Sequence, residues 1–143
     1  MMMRLDNITK SRKVLTMYLD ILGTIRINNF EKDFKKKVDD FVKDLDLNEE
    51  YIVLHDNYDG NYRSDYDMSF ANITSVKNFD RYLPDRNLTQ IAAKSPHSSQ
   101  TLPELWKQIW DLEEDGVLHR AYLYDIEYHQ KDGTVAILLG TRD

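Results

Sequence analysis

The feature that most constrains this chain is a strand-helix-strand-strand order that occurs twice, over residues 14–70 and again over residues 87–141. In residues 14–22, Leu15, Met17, Leu19 and Ile21 alternate with Thr16, Tyr18 and Asp20, the period-two pattern of a half-buried strand. Gly23 permits a break or bulge after it. Asn28 and Asn29 then offer N-caps for a helix. Its apolar stripe reads Phe30, Phe34, Val38, Phe41, Val42 and Leu45. Residues 51–55 and 65–70 follow as strands of a hairpin, joined by a turn-rich segment from Asp56 to Asn61.

Residues 71–86 read as an irregular connection, and the pattern then restarts. Residues 87–94 form a strand and residues 95–99 a loop. Thr101 and Glu104 have the spacing of a capping box, in which each side chain satisfies a free backbone N–H of the first turn. Leu102, Leu105, Trp106, Ile109 and Leu112 give this second helix its apolar face, and Gly116 is suited to end it. Residues 121–129 and 134–141 are strands, with Asp132-Gly133 as the turn between them. The two passes match in element order, not in residue identity. The expected fold is α+β: two antiparallel half-sheets related by a pseudo-twofold, two main helices on one side, and a cleft between the halves. Residues 1–143 are read as a single domain, with Phe34, Phe41, Leu105, Trp106 and Ile109 in its core.

Composition removes several functional classes. With no cysteine there is neither a disulfide framework nor a thiol nucleophile. The net charge of −6 disfavours a polyanion partner, and the basic run Lys35-Lys36-Lys37 is surrounded by Glu31, Asp33, Asp39 and Asp40, as on a solvated helix face. The N-terminus has no apolar region of a secretory signal, and no segment has the length of a membrane span. The expected location is cytoplasmic, without direct nucleic-acid or membrane binding. His55, His97, His119 and His129 have no spacing that converges on a metal, no glycine-rich phosphate loop occurs, and no cofactor is expected. His97, Ser98 and Ser99 are adjacent in a loop, where neighbours rarely face one another as a catalytic pair must.

Glu127 is the sharpest candidate. It stands within a strand, with Leu123, Asp125 and His129 expected on its face and Tyr122, Tyr124, Ile126 and Tyr128 on the other. A carboxylate in an apolar sheet costs desolvation unless paired or wet, and a cation in a cleft would supply that pairing. On pattern alone, a solvated, outward-facing residue is the simpler reading. In the cleft reading, burial raises its pKa when the cleft is empty and a cation lowers it again. Tyr18 and Tyr66 belong to a chain with nine tyrosines, whose aromatic bodies and polar tips suit either a strand framework or a pocket wall. Trp106 reads as core, whereas Trp110 sits at the edge of its helix stripe, between core rim and pocket wall.

The duplicated order, the length and the closing Asp125-Ile126-Glu127 resemble the gyrase-inhibitor-like (GyrI-like) domain, which is also the effector-binding module of multidrug-sensing AraC- and MerR-type regulators. The motif resemblance is best over residues 102–141, where the segment from Leu102 to Trp110 looks like the second helix. The family pattern closes on aspartate, an apolar residue, glutamate, any residue and tyrosine; here His129 stands in the tyrosine position. The resemblance implies a hydrophobic pocket between the halves, with Glu127 at its base engaging bulky, often cationic, aromatic compounds. Without a helix-turn-helix domain, this would be a stand-alone version.

Three functions follow as expectations. The first, and favoured, is a cytoplasmic module that binds amphipathic, cationic aromatic xenobiotics and senses or sequesters them, with Glu127, Trp110, Tyr18, Tyr66 and His129 as ligand-binding residues. The second is a hydrolase of reactive toxic compounds with Glu127 as general base. The third is an inhibitor of a protein partner such as DNA gyrase, through an acidic surface that competes with DNA.

Overall fold

A computed structural model describes residues 8–14, 17–77, 79, 81–83, 87–92 and 101–142. The expected loop at residues 95–99, with His97, Ser98 and Ser99, lies outside the described residues, as do residues 93–94 and 84–86. In chain order the elements are β1 (Ile8–Val14), β2 (Met17–Asn28), α1 (Phe34–Val42), β3 (Tyr51–Asp56), β4 (Asp65–Ile73), β5 (Arg81–Leu83), β6 (Asn87–Ala92), α2 (Thr101–Glu114), β7 (Arg120–His129) and β8 (Val135–Thr141). The strands form one antiparallel sheet in the order β1-β6-β8-β7-β3-β4-β2-β5, and with the two helices the fold is α+β. Among the described residues, no helix is long and apolar enough to cross a membrane.

Alternation along the strands divides the sheet into two apolar faces. One carries Met17, Leu19, Ile52, Leu54, Ala71, Leu83, Tyr124, Ile126 and Leu138, all buried together. The other carries the helices. Under α1 lie Ile27, Val53, Tyr66, Met68 and Phe70. Under α2, Ile137 and Leu139 of β8 meet Leu105, Trp106, Ile109 and Leu112. β8 is buried along both faces from Val135 to Gly140, which explains its run of consecutive apolar residues.

The helix ends follow their sequence signals unequally. Gly116 takes φ 73 just past α2, while the N–H groups of Gly116 and Val117 bond to the carbonyls of Glu113 and Leu112. This is a Schellman closure, which a left-handed glycine permits at low cost. At the other helix, the Asn28 and Glu31 side chains each accept a backbone hydrogen bond: Asn28 Oδ1 from Phe30 N–H and Glu31 Oε1 from Asn28 N–H. They close only a turn. Asp33 adopts φ 62, and the α-helix begins at Phe34.

Several expectations are corrected. β2 does not stop near Gly23 but runs to Asn28, absorbing a bulge: Ile21 pairs with Ala71 and Gly23 with Phe70, so Leu22 is the extra residue. The segment expected to be irregular holds the end of β4 and the short edge strand β5, paired with Met17, Tyr18 and Leu19. β1, with Thr9, Lys10, Ser11, Arg12 and Lys13 among its seven residues, is too polar to be legible as a strand and forms the opposite edge on β6. Asp132-Gly133 closes the last hairpin within a longer turn: Gly133 N–H bonds to the Gln130 carbonyl at φ 90, and Gln130 N–H to the Thr134 carbonyl.

The core assignment is also corrected. Leu105, Trp106 and Ile109 are buried, but α1 has no buried residue, so Phe34 and Phe41 are half-buried. The stripe is real, yet part of it faces open space over the sheet. Phe41 is held by shape: a Cβ on Gly23 would stand 2.8 Å from its ring. Ile109→Ala should therefore cost about 2–5 kcal/mol, as for a full core truncation. Phe41→Ala should cost roughly half of the 3–5 kcal/mol typical of a fully buried phenylalanine. Gly23→Ala should destabilise by roughly 1–3 kcal/mol through overpacking against Phe41. Urea denaturation of the three variants checks that order.

Candidate functional site

The half-buried face of α1 and the aromatic edge of α2 stand apart over β3, β4 and β7, leaving a cleft of about 880 Å³. That is ample for a small organic ligand. Phe34, Val38 and Val42 of α1 line one side, and Leu102, Trp106 and Trp110 of α2 the other. Beside α2, the Trp110 indole stacks on Tyr62 with ring centroids 5.3 Å apart, and Phe30 packs 5.2 Å from Trp110. Phe30, displaced from the helix by the left-handed Asp33, is 58% exposed.

Glu127 lies on the floor. In register it stands between Val53 of β3 and Ile137 of β8, so its strand neighbours are apolar. Only 6% exposed, it is met by side chains from three elements. Trp106 Nε1–H donates to Oε2 at 2.7 Å, and His129 Nε2 lies 3.1 Å from Oε1. His55 Nε2 is 3.2 Å from Oε2, within ion-pair reach but off the line of a hydrogen bond. Both imidazoles are clamped by rings: His55 between Tyr66 and Trp106, each with its centroid 5.1 Å away, and His129 on Tyr51 at 4.3 Å.

This corrects the expected pKa shift. Burial does push the Glu127 carboxyl up, but His129 and His55 outweigh it and hold the group well below the usual carboxylate range. The carboxylate is compensated from within, so it is ionised when the cleft is empty.

A second buried cluster borders the floor and depends on a distortion of β7. Arg120 and Asp125 are five positions apart, which on a regular strand would place them on opposite faces. Here Arg120 pairs with Thr141 while Asp125 pairs with Leu139, so β7 carries extra residues against β8, and Tyr122 takes φ 56 within that bulge. The bulge turns both side chains the same way. Arg120 Nη2 meets Asp125 Oδ2 at 2.6 Å and Nη1 meets Glu113 at 3.1 Å. Tyr58 O–H donates to Asp125 at 2.5 Å, and Tyr122 O–H donates to Glu113. The guanidinium also lies 4.5 Å from the Tyr122 ring centre. Burial works against its charge, but Asp125, the tyrosines and Glu113 hold its pKa above the ordinary arginine value.

Of the residues expected at a site, Glu127, Trp110, Tyr66 and His129 come together around the cleft. Tyr66 is fully buried there, its hydroxyl donating to Asn29 Oδ1 at 2.6 Å. Tyr18 does not join them. It sits on β2 beside the edge strand β5, packed on Phe79 and Tyr82 with centroids 5.1 and 5.3 Å away. Leu123, expected on the Glu127 face, is turned out by the bulge and is 53% exposed. The sequence reading missed His55, Arg120 and Tyr58, and missed Trp106 as more than core. His55 shares the β3 alternation of Tyr51 and Val53, a usable signal, but only the β3–β7 register brings it to Glu127. Among the described residues, no group of three or more histidines and carboxylates is arranged to hold a metal ion.

No family model matches this chain, and no curated protein matches it. Among solved structures it is similar to an integron cassette protein from the mobile metagenome of Vibrio cholerae. The TM-score is 0.69 at 17% identity, covering 92% of this chain and 94% of that one. The likeness is one of fold.

Because its folded-state pKa is depressed, ionised Glu127 contributes stability that is complete above its unfolded value near 4.5 and is lost as pH falls through the folded value. The ¹³C carboxyl signal of Glu127 should stay that of a carboxylate below pH 4.5, and acid denaturation of Glu127→Gln should lack this component. For the neighbouring cluster, Asp125→Ala leaves Arg120 buried without its main partner, which should cost about 3–5 kcal/mol by chemical denaturation.

Proposed function

We propose that this chain is a binding module for flat, amphipathic aromatic cations, able to sense or sequester such compounds. One observation carries the reading: among the described residues, Glu127 is the cleft charge whose ion-pair partners, His55 and His129, are cations only when protonated. The other charged side chains described around it have a permanent opposite charge beside them: Lys35 with Asp39, Lys107 with Asp111, Arg63 with Glu114, and Arg120 with Asp125 and Glu113. With neutral histidines, the floor carries one negative charge beneath aromatic walls. A cation gains Coulomb attraction in a poorly solvated site and cation–π attraction from Trp110, Tyr62 and Phe30.

The strand order supports reading the fold as a duplicated β-α-β-β unit. β6-β8-β7 and β3-β4-β2 run outward from the central β7–β3 pair in mirrored order, so β2, α1, β3 and β4 correspond to β6, α2, β7 and β8. The flanking strands exchange in the same sense, with β1 on β6 and β5 on β2. On this reading a pseudo-twofold passes between β3 and β7, beneath the cleft, as the resemblance to the GyrI-like domain implies. The alternative with Glu127 as general base is disfavoured, since a carboxylate held well below its usual range is a weak base near neutral pH.

The chain's two tryptophans, Trp106 and Trp110, both line the cleft, so their fluorescence reports on its occupancy. A flat aromatic cation should quench them saturably at pH 8. Glu127→Gln should weaken the cation by at least about tenfold, equivalent to 1.4 kcal/mol, and a neutral analogue of the same size by less than about threefold. Equal losses for both ligands would remove Glu127 from the site.

A further inference from the structure

Resting on that reading of the cleft, the geometry points to its regulation: we propose that His55, together with His129, is a built-in competitor for the ligand. Protonation of an imidazole sets an internal cation against Glu127 and expels the bound one. His55 lies where a ligand cation would be bound best. Its ring is sandwiched between Trp106 and Tyr66, and its Nε2 is 3.2 Å from Glu127 Oε2. That buried nitrogen has no hydrogen-bond partner among the described residues. An imidazolium there would meet the same two attractions offered to a ligand, a carboxylate and aromatic faces. His129 stands on the other oxygen, stacked on Tyr51.

The remaining groups around the carboxylate keep their charge while imidazoles titrate. On β7, Arg120 is fixed by Asp125, and by Glu113 from α2. Tyr51 of β3, Tyr66 of β4 and Tyr58 of the loop between them are pushed up by burial and stay protonated. At the mouth, Lys35 with Asp39 on α1 and Lys107 with Asp111 on α2 are paired and exposed. Histidine is the side chain that ordinarily changes charge between pH 5 and 8. The floor therefore moves from one net negative charge towards zero, and then positive, as the two histidines fill. Cation binding and proton binding compete for one carboxylate, so each must weaken the other by the same factor.

Ethidium, a flat cation whose own charge is constant over this range, tests the proposal. Its dissociation constant should be measured by tryptophan quenching from pH 8.5 to 5.5 at fixed ionic strength. The wild type should lose affinity as pH falls, approaching about tenfold per pH unit for one competing proton. His55→Gln/His129→Gln, which keeps neutral N–H donors beside Glu127 but cannot titrate, should flatten the profile. NMR of the histidine ring protons in the wild type needs no variant to fold: saturating ethidium should lower the titration midpoint of His55 or His129. Binding that is constant within about twofold across the range, or histidine midpoints that ethidium does not move, would overturn the competitor while leaving the cleft reading intact. Failure of ethidium to bind at pH 8.5, where Glu127 is least compensated, would sink the cleft reading and this inference with it.

Discussion

Two carboxylates on one face of a central strand set the terms for the rest of this structure. Asp125 and Glu127 are 0% and 6% exposed, and a buried charge of this kind costs several kcal/mol unless donors replace the lost water. The groups that replace it come from several elements. Glu127 draws Trp106 from α2 and His129 from its own strand as hydrogen-bond partners, with His55 of β3 at ion-pair distance. Asp125 draws Tyr58, Arg120 and the backbone N–H of Gly140. Satisfying the pair fixes the position of α2 over β7, the register of β3 against β7 and the bulge that turns Arg120 inward. Polar satisfaction and topology are one constraint here.

The two helices meet that constraint differently, and the difference makes the cleft. α2 buries Leu105, Trp106, Ile109 and Leu112, and is anchored by packing as well as by the Trp106 hydrogen bond. α1 buries nothing completely. It rests its stripe on Ile27, Val53, Tyr66, Met68 and Phe70, while Phe34, Val38 and Val42 border the open space. It also carries the solvent-exposed pairs Lys35–Asp39 and Lys36–Asp40, which water and salt screen and which do little to hold it down. A helix seated this way leaves apolar surface open along the cleft.

Much of the framework was legible because its signals are local. The α2 stripe with Gly116 at its end, the alternation at the start of β2, and the turn at Asp132-Gly133 each depend on residues close together in the chain. What failed depended on partners. β1 carries no strand signal of its own, because its strand character comes from pairing with β6. β5 is three residues long, too short for any period to show. The α1 stripe has the same periodicity whether it meets a core or a cleft, so Phe34 and Phe41 could not be distinguished from buried residues. At the site, simple alternation put Leu123 beside Glu127 and gave no sign of Arg120, because the bulge at Tyr122 resets the count. Tyr18 was drawn in by residue type alone, and only strand order places it at the β5 edge.

Glu127 is also where the sequence departs most from what the fold alone would favour. Its cross-strand neighbours, Val53 and Ile137, form an apolar row that a valine or isoleucine at 127 would complete. That exchange would remove one buried charge, a change that is often neutral or stabilising when the replacement packs well. It would also orphan the Trp106 N–H and a His129 nitrogen, and an unmet buried donor costs about 1–3 kcal/mol. The acid and its donors therefore stand or fall together, and no single substitution turns the floor into plain core. A cluster committed in this way, in an otherwise apolar sheet and beneath an aromatic cleft, is a local violation of core patterning of the kind that marks a functional site. The proposed recognition of positive charge, with the two histidines as internal competitors, is a physical account of that commitment.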